Sequence, residues 1–232
     1  MLDQKGDPYR VSLLSNWEQE LVPLSSTKKL CLCIENDLVP RFFALLQRGF
    51  MVKVQAGSTI KSLLRRQFGL SPEYLEKRIQ TIFLDGKPVD DLDYAIVKNG
   101  STLALSGAMP GLAGATLRKG GYYAPMRSQI SYREESAPKP HDEGMIFLKL
   151  FNLLLKELGP SFLKRGILVK GEDLSGFFKR QRDDFWAGCK GVRVDGEKIS
   201  LKKLVRINLA GRHILLQLET HKGPLKKRGG QG

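Results

Sequence analysis

The stretch FMVKVQAGSTIKSLL, residues 50–64, decides the predicted fold of the first part of the chain. Apolar residues alternate with other residues in its first half, which is typical of a strand with one buried face. Gly57 ends the strand, and the hydroxyl of Ser58 or Thr59 is placed to accept a hydrogen bond from the first free amides of a helix. The apolar positions that follow recur at helical spacing: Ile60, Leu63, Leu64 and Phe68.

Further strands are predicted on both sides of this strand and helix. KKLCLCIE (residues 28–35) alternates in the same way and predicts an earlier strand. Pro72 opens a second helical turn, and TIFLDGKPV (residues 81–89) predicts a strand that runs into an Asp-Gly turn. STLALSG (residues 101–107) predicts a last strand. The order predicts a small mixed sheet, its two opening strands paired, with one helix packed across it.

Residues 29–114 resemble the β-grasp fold of the ubiquitin-like superfamily, and most closely the small sulfur carriers of molybdopterin and thiamine biosynthesis. The resemblance is carried by the Gly-Ser/Thr helix start in residues 50–64 and by TIFLDGKPVDDLDYAIVKNGSTLALSG (residues 81–107). It implies an α+β fold with a ubiquitin-like β-grasp domain. In that family the last strand leads into a flexible tail, whose terminal Gly-Gly carboxylate is activated for sulfur transfer or covalent attachment.

The glycines of GAMPGLAGATLRKGG, residues 107–121, bear on whether this chain has such a tail. Gly120 and Gly121 match a ubiquitin-like ending, and Gly114 matches the carrier spacing. None is terminal, because the chain continues to residue 232. Covalent chemistry would therefore require cleavage after Gly114 or Gly121. The plainer interpretation is an irregular connector.

The rest of the chain predicts a second small α/β domain. MIFLKLFNLLLKEL (residues 145–158) has a wide apolar helix face and predicts a helix that Gly159 and Pro160 end. Strands, helices and a second Asp-Gly turn follow, and the likeness of FLDGKPVDD to VRVDGEKIS is explained either by duplication or by a common hairpin. The predicted organisation is a lead-in (1–28), the β-grasp domain (29–114), a connector (115–142), the second α/β domain (143–220) and a basic, glycine-rich tail (221–232).

Composition restricts the class of function. The chain has 38 Lys and Arg against 24 Asp and Glu, a net charge of +14, which favours an anionic partner such as RNA. The three cysteines are too few for a disulfide scaffold or a four-cysteine zinc site, and neither a secretory signal nor a membrane-spanning run is found. Candidate anion-binding residues lie in the connector and in the tail: Arg118, Lys119, Lys222, Lys226, Lys227 and Arg228.

These observations predict a non-enzymatic, cytoplasmic protein that needs no cofactor or metal and acts as a protein-binding or adaptor module. By analogy with the way β-grasp modules use their open sheet, the resemblance implies contact through an exposed apolar patch of Leu103, Leu105, Met109 and Leu112. Two alternatives stay open: an RNA-associated basic protein, and the precursor of a sulfur carrier or covalent modifier. The oligomeric state is left undecided.

Overall fold

A computed structural model describes residues 27–127, 129–132 and 142–221 of the chain. Its main feature is one large, mostly antiparallel sheet of ten strands, with helices packed on it. This mixed architecture agrees with the predicted α+β class. In chain order the strands of the described ranges are β1 (Lys28–Glu35), β2 (Phe50–Gln55), β3 (Ser58–Thr59), β4 (Thr81–Leu84), β5 (Lys87–Pro88), β6 (Ile96–Val97), β7 (Thr102–Ser106), β8 (Glu143–Phe151), β9 (Ile167–Lys170), β10 (Cys189–Val194), β11 (Glu197–Ile199) and β12 (His213–His221). Two of these, the short strands β3 and β6, pair with each other in a separate sheet.

The helices between these strands are short, except for one of 13 residues. They are α1 (Phe43–Leu46), α2 (Ile60–Ser62), α3 (Pro72–Lys77), α4 (Gly111–Leu117), α5 (Leu153–Arg165), α6 (Gly171–Lys179), α7 (Asp183–Gly188) and α8 (Leu201–Arg206). Segments of 3-10 helix span Asn36–Phe42 and Ala124–Arg127, and α2 continues as a π-helical turn over Leu63–Gln67. None of the helices in the described ranges combines the length and apolar character needed to span a bilayer.

Side-chain caps explain where several helices begin. The Thr59 hydroxyl accepts a hydrogen bond from the Ser62 amide at 3.2 Å, which confirms the predicted cap of α2. Ser71 caps α3 through the amide of Tyr74 at 3.1 Å, and Pro72 occupies the first helical position as predicted. Because these caps satisfy amides that the helix itself leaves free, the short helices are fixed at their starts.

The strand order departs from the prediction. The order across the sheet is β11-β10-β1-β12-β9-β2-β8-β7-β4-β5. The two opening strands were expected to pair, but β1 lies between β10 and β12 and does not neighbour β2. The place beside β2 is taken by β8, which is antiparallel to β2 and parallel to β7. The opening strand of each half of the chain therefore lies between two strands of the other half.

The hydrogen bonds of the two Asp-Gly hairpin turns, at Asp85 and Asp195, show the same exchange of strands between the two halves. The Asp85 carboxylate accepts a hydrogen bond from the Thr102 amide at 2.6 Å, and the Asp85 amide donates one to the Thr102 carbonyl at 2.9 Å. Asp195 does the same with Lys29, at 2.8 Å in both directions. Strand β1 therefore occupies, beside the second hairpin, the place that β7 occupies beside the first.

The predicted helix over residues 145–158 is wrong in its first half, where the chain forms β8. Ile146, Leu148 and Leu150 are buried at every second position, so the same apolar residues also fit the period of a strand. Asn152, with a φ of 56°, turns the chain into α5, which runs through Gly159 and Pro160 to Arg165. Gly159 is needed there because a Cβ would lie 2.9 Å from the Leu46 side chain, where α1 and α5 pack closely.

One core joins both halves of the chain. Phe42, which follows β1, packs against Phe177 of α6 and Phe185 of α7 with ring centroids 4.7 and 5.8 Å apart. Such tilted ring pairs add about 0.5–1.5 kcal/mol each beyond the area they bury. Leu32, Val52, Leu64 and Leu103 all belong to this core. Phe83 is only half-buried and pairs across strands with Ala104, on the face of the sheet opposite the core.

Candidate interaction surface on the connector

The predicted apolar patch is only partly exposed. Leu103 and Leu105 are completely buried, so their assignment to an exposed patch is wrong. Strand β7 is an interior strand between β4 and β8, and these two leucines point from it into the core. Met109 is half-buried and Leu112 is exposed. The exposed part of the patch therefore belongs to the segment after β7.

That segment is more regular than predicted. We call residues 108–132 the connector segment; it contains α4 and the 3-10 turn Ala124–Arg127 instead of irregular chain throughout. A Cβ on Gly114 would lie 1.8 Å from the Met109 carbonyl oxygen, so the tight chain reversal before α4 requires glycine at this position. Gly120, with a φ of 58°, provides a second turn.

The buried guanidinium of Arg127 anchors the connector segment. Its side chain is 2% exposed and forms a bidentate ion pair with Asp90, with nitrogen–oxygen distances of 2.7 and 2.9 Å. Its remaining N–H groups donate to the carbonyls of Thr116 (2.7 Å) and Arg118 (3.2 Å) and to the hydroxyl of Ser131 (2.8 Å). All five guanidinium donors are thus used, and one side chain ties three parts of the segment to the loop after β5.

Asp90 completes this anchor from the other side. Its carboxylate also accepts the Gly120 amide at 3.0 Å and the Ser131 hydroxyl at 3.4 Å. Asp91 and Asp93 follow closely in sequence, but within the described ranges no group of three or more His, Cys, Asp and Glu side chains is arranged to hold a metal ion. Asp90 instead neutralises the buried arginine.

Lys119 fixes the middle of the segment through its amide and its side chain. Its amide donates to the Gln80 carbonyl at 2.9 Å, and its ammonium group donates to the Leu75 carbonyl. Burial lowers the pKa of this ammonium group. The predicted anion-binding role of Lys119 stays a prediction, as does that of Arg118, whose side chain is exposed. Lys222, Lys226, Lys227 and Arg228 lie outside the described residues.

The same contacts bear on the glycines proposed as a processed tail. Gly114 is buried inside α4, and Gly121 donates its amide to the Arg118 carbonyl at 3.1 Å. Gly120 is held by Asp90 as described. These glycines belong to a hydrogen-bonded part of the fold, while cleavage after Gly114 or Gly121 stays a prediction.

Large apolar side chains are exposed along this anchored segment. Leu112 is 75% exposed, Tyr122 90%, Met126 80% and Ile130 59%; we call these four residues the connector patch. Tyr123, 37% exposed, packs edge-on against Tyr122 with ring centroids 5.1 Å apart. Sequence reasoning missed three of the four because a glycine-rich stretch was interpreted as irregular. The feature of the sequence that could have identified them is the occurrence of large apolar residues between polar ones in a predicted loop.

The cysteines give no support to nucleophilic chemistry. Cys31 and Cys33 lie on the same face of β1, and Cys31 and Cys189 are buried. Burial raises the pKa of the Cys31 thiol, and it raises the pKa of Cys189 to about 11. A thiol with a raised pKa is mostly protonated near neutral pH and is a poor nucleophile.

Comparison of the chain with protein-family models, with curated proteins and with solved structures gives no match. The function therefore has to be argued from the geometry of the chain itself.

Proposed function

We propose that the chain is a non-enzymatic protein-binding module and that the connector patch is its contact surface for another protein. The single observation that carries the proposal is the high exposure of four large apolar side chains on one segment. Exposed apolar surface of this kind has a cost in water unless a partner covers it. Tyrosine and methionine are also enriched in the cores of protein interfaces.

The anchoring of the segment supports the same proposal. A loop that orders only on binding loses conformational entropy, which subtracts from affinity. Here the Arg127 and Asp90 contacts hold the backbone of the segment before any partner arrives. The patch residues are consequently presented on a preorganised backbone.

The partner is expected to offer an apolar groove or face that receives Tyr122 and Met126. These two side chains are the most exposed of the four and stand on either side of the start of the 3-10 turn. Few residues dominate the affinity of most interfaces, and tyrosine is among the commonest of them. We therefore assign the main energetic contribution to Tyr122.

We also propose that β2, α2, β4, β5 and β7, completed by β8, form a β-grasp-like unit. The support is topological: β8 is parallel to β7 and antiparallel to β2, which is the arrangement that an opening strand has in the β-grasp fold. In this chain the strand in that position comes from the later half of the sequence. The connector segment then corresponds to the chain that follows the last strand of such a unit.

The proposal is tested by comparing Met126→Asp with Val205→Asp. Val205, on α8, is 52% exposed and provides a matched apolar-to-acidic change near the opposite edge of the sheet. Proteins retained from the native host by the wild-type chain are identified, and each candidate is then purified for direct binding. We expect one protein to bind wild type and Val205→Asp with similar affinity and Met126→Asp at least tenfold more weakly. Equal binding to both variants would refute the connector patch as the contact surface.

A further inference from the structure

A second surface, separate from the connector patch, lies along the outer side of α2 and its π-helical extension. It is a groove of about 660 Å³, within the size range of ligand-binding clefts. Lys61, Arg65 and Arg66 line it, together with the hydroxyl-bearing residues Thr59 and Ser62. The three cations come from one helical run because the opposite face of that run packs in the core.

The charges in the groove are not balanced. Lys61 is paired with Asp93, with 2.8 Å between ammonium nitrogen and carboxylate oxygen. Arg65 and Arg66 are exposed, and in the described part of the chain no carboxylate lies within ion-pairing distance of either guanidinium. Two adjacent arginines thus keep their full donor capacity. Guanidinium groups suit phosphate oxygens because their paired N–H donors match the phosphate geometry.

An exposed tyrosine adjoins the groove in sequence. Tyr94 directly follows Asp93, which lines the groove, and its side chain is 73% exposed. A ring in this position suits stacking of an unpaired nucleobase, and stacking of this kind tolerates any base sequence. Lone phosphate ligands would use the arginines and leave the ring without a role. The combination of unpaired arginines and an exposed ring favours a phosphate-bearing polymer with accessible bases.

We propose that this groove binds single-stranded nucleic acid, with Arg65 and Arg66 on backbone phosphates and Tyr94 stacked on a base. The net charge of +14 adds long-range attraction for such a polymer without providing the specific contacts. This inference is independent of the connector patch, which contains none of these residues. Loss of one activity leaves the other intact.

The test uses the full chain and a fluorescein-labelled single-stranded RNA of about 20 nucleotides, with binding followed by anisotropy at several salt concentrations. The variant Arg65→Gln/Arg66→Gln is compared with Lys202→Gln/Lys203→Gln, an equally exposed adjacent pair on α8 that removes the same charge. Each phosphate contact on a single strand contributes about 0.7 to the slope of log K against log salt. The arginine variant should therefore lower the slope by about 1.4, and the lysine variant should leave it nearly unchanged.

Tyr94→Ala separates stacking from charge. We expect it to weaken binding about tenfold at every salt concentration, with no change of slope. Equal effects of the two charge variants would overturn the site, because they would show a response to net charge alone. Displacement of the RNA by sodium tripolyphosphate at equal phosphate concentration would also overturn it, since the groove would then bind a small polyphosphate. All substituted residues are exposed, so unchanged thermal unfolding is the check on folding.

Discussion

Replacing Arg127 by methionine should release the connector segment while leaving the sheet intact. The change removes every hydrogen bond of the guanidinium and leaves the Asp90 carboxylate without its cation. Removing one partner of a buried ion pair costs about 3–5 kcal/mol. The Asp90 side chain is 33% exposed and regains some hydration, so we expect the lower end, about 3 kcal/mol.

Hydrogen exchange followed by mass spectrometry measures this effect locally. A loss of about 3 kcal/mol corresponds to roughly a hundredfold faster exchange, at 1.4 kcal/mol per factor of ten. The amides of Lys119, Gly120 and Tyr132 should accelerate, because each is hydrogen-bonded only when the segment lies against the sheet. Amides of β8 should keep their protection.

The control variant is Lys77→Met, which breaks the exposed ion pair with Glu73 on α3. Exposed pairs of this kind contribute about 0.3–0.5 kcal/mol, so exchange should change by no more than about threefold. If Arg127→Met exchanges at the wild-type rate in the connector segment, Arg127 is not its anchor. An even acceleration over the whole sheet would equally contradict a local role.

Three further results are expected. Gly171→Ala should lower the midpoint of thermal unfolding by several degrees, because the new Cβ would lie 1.7 Å from a backbone carbonyl oxygen. The control is Gly176→Ala in the same helix, whose Cβ would meet only an arginine side chain at 3.5 Å and which should be neutral or stabilising. Hydrogen bonds from Arg78 and Tyr74 lower the pKa of Glu157, so its stabilisation is present above the unfolded value of about 4.3 and is lost as pH falls through the folded value. In urea unfolding, Glu157→Gln should therefore be less stable than wild type at neutral pH, and the difference should shrink as the pH falls below about 4; a difference that stays constant through the acid range would contradict this. A fragment of residues 27–132 should show no cooperative thermal transition, since the sheet lacks the strands that pair with its central members; a sharp transition would mean that this half folds alone.

Local sequence signals predicted most of the elements but not their arrangement in the sheet. The hydroxyl cap at Thr59, the Asp-Gly turn at Asp85 and the alternation in β1 are short-range features, and the structure contains all three. Which strand neighbours which depends on pairing between residues more than 100 positions apart, as between Leu30 and Val194. Nothing in the alternation of β1 distinguishes β2 from β10 as its partner.

The candidate site shows the same limit. Leu112 was assigned to an exposed patch by analogy with β-grasp modules, and it is exposed. Leu103 and Leu105 were misassigned because the period of a strand identifies two faces but not which one is covered. Arg127 could not be recognised, since a lone arginine in a loop gives no sign that a distant aspartate will bury it. Burial of a charged side chain depends on its partner in the folded chain.

Site-specific photo-crosslinking in the native host tests the proposed function most directly. A photoreactive phenylalanine analogue is placed at position 126 in the connector patch and, in a second strain, at position 205 on α8, where Val205 is also exposed. We predict one discrete adduct with a different protein at position 126 and none of that protein at position 205. The same adducts at both positions, or an adduct at position 126 with only a second copy of this chain, would contradict the assignment of the connector patch as a docking surface for another protein.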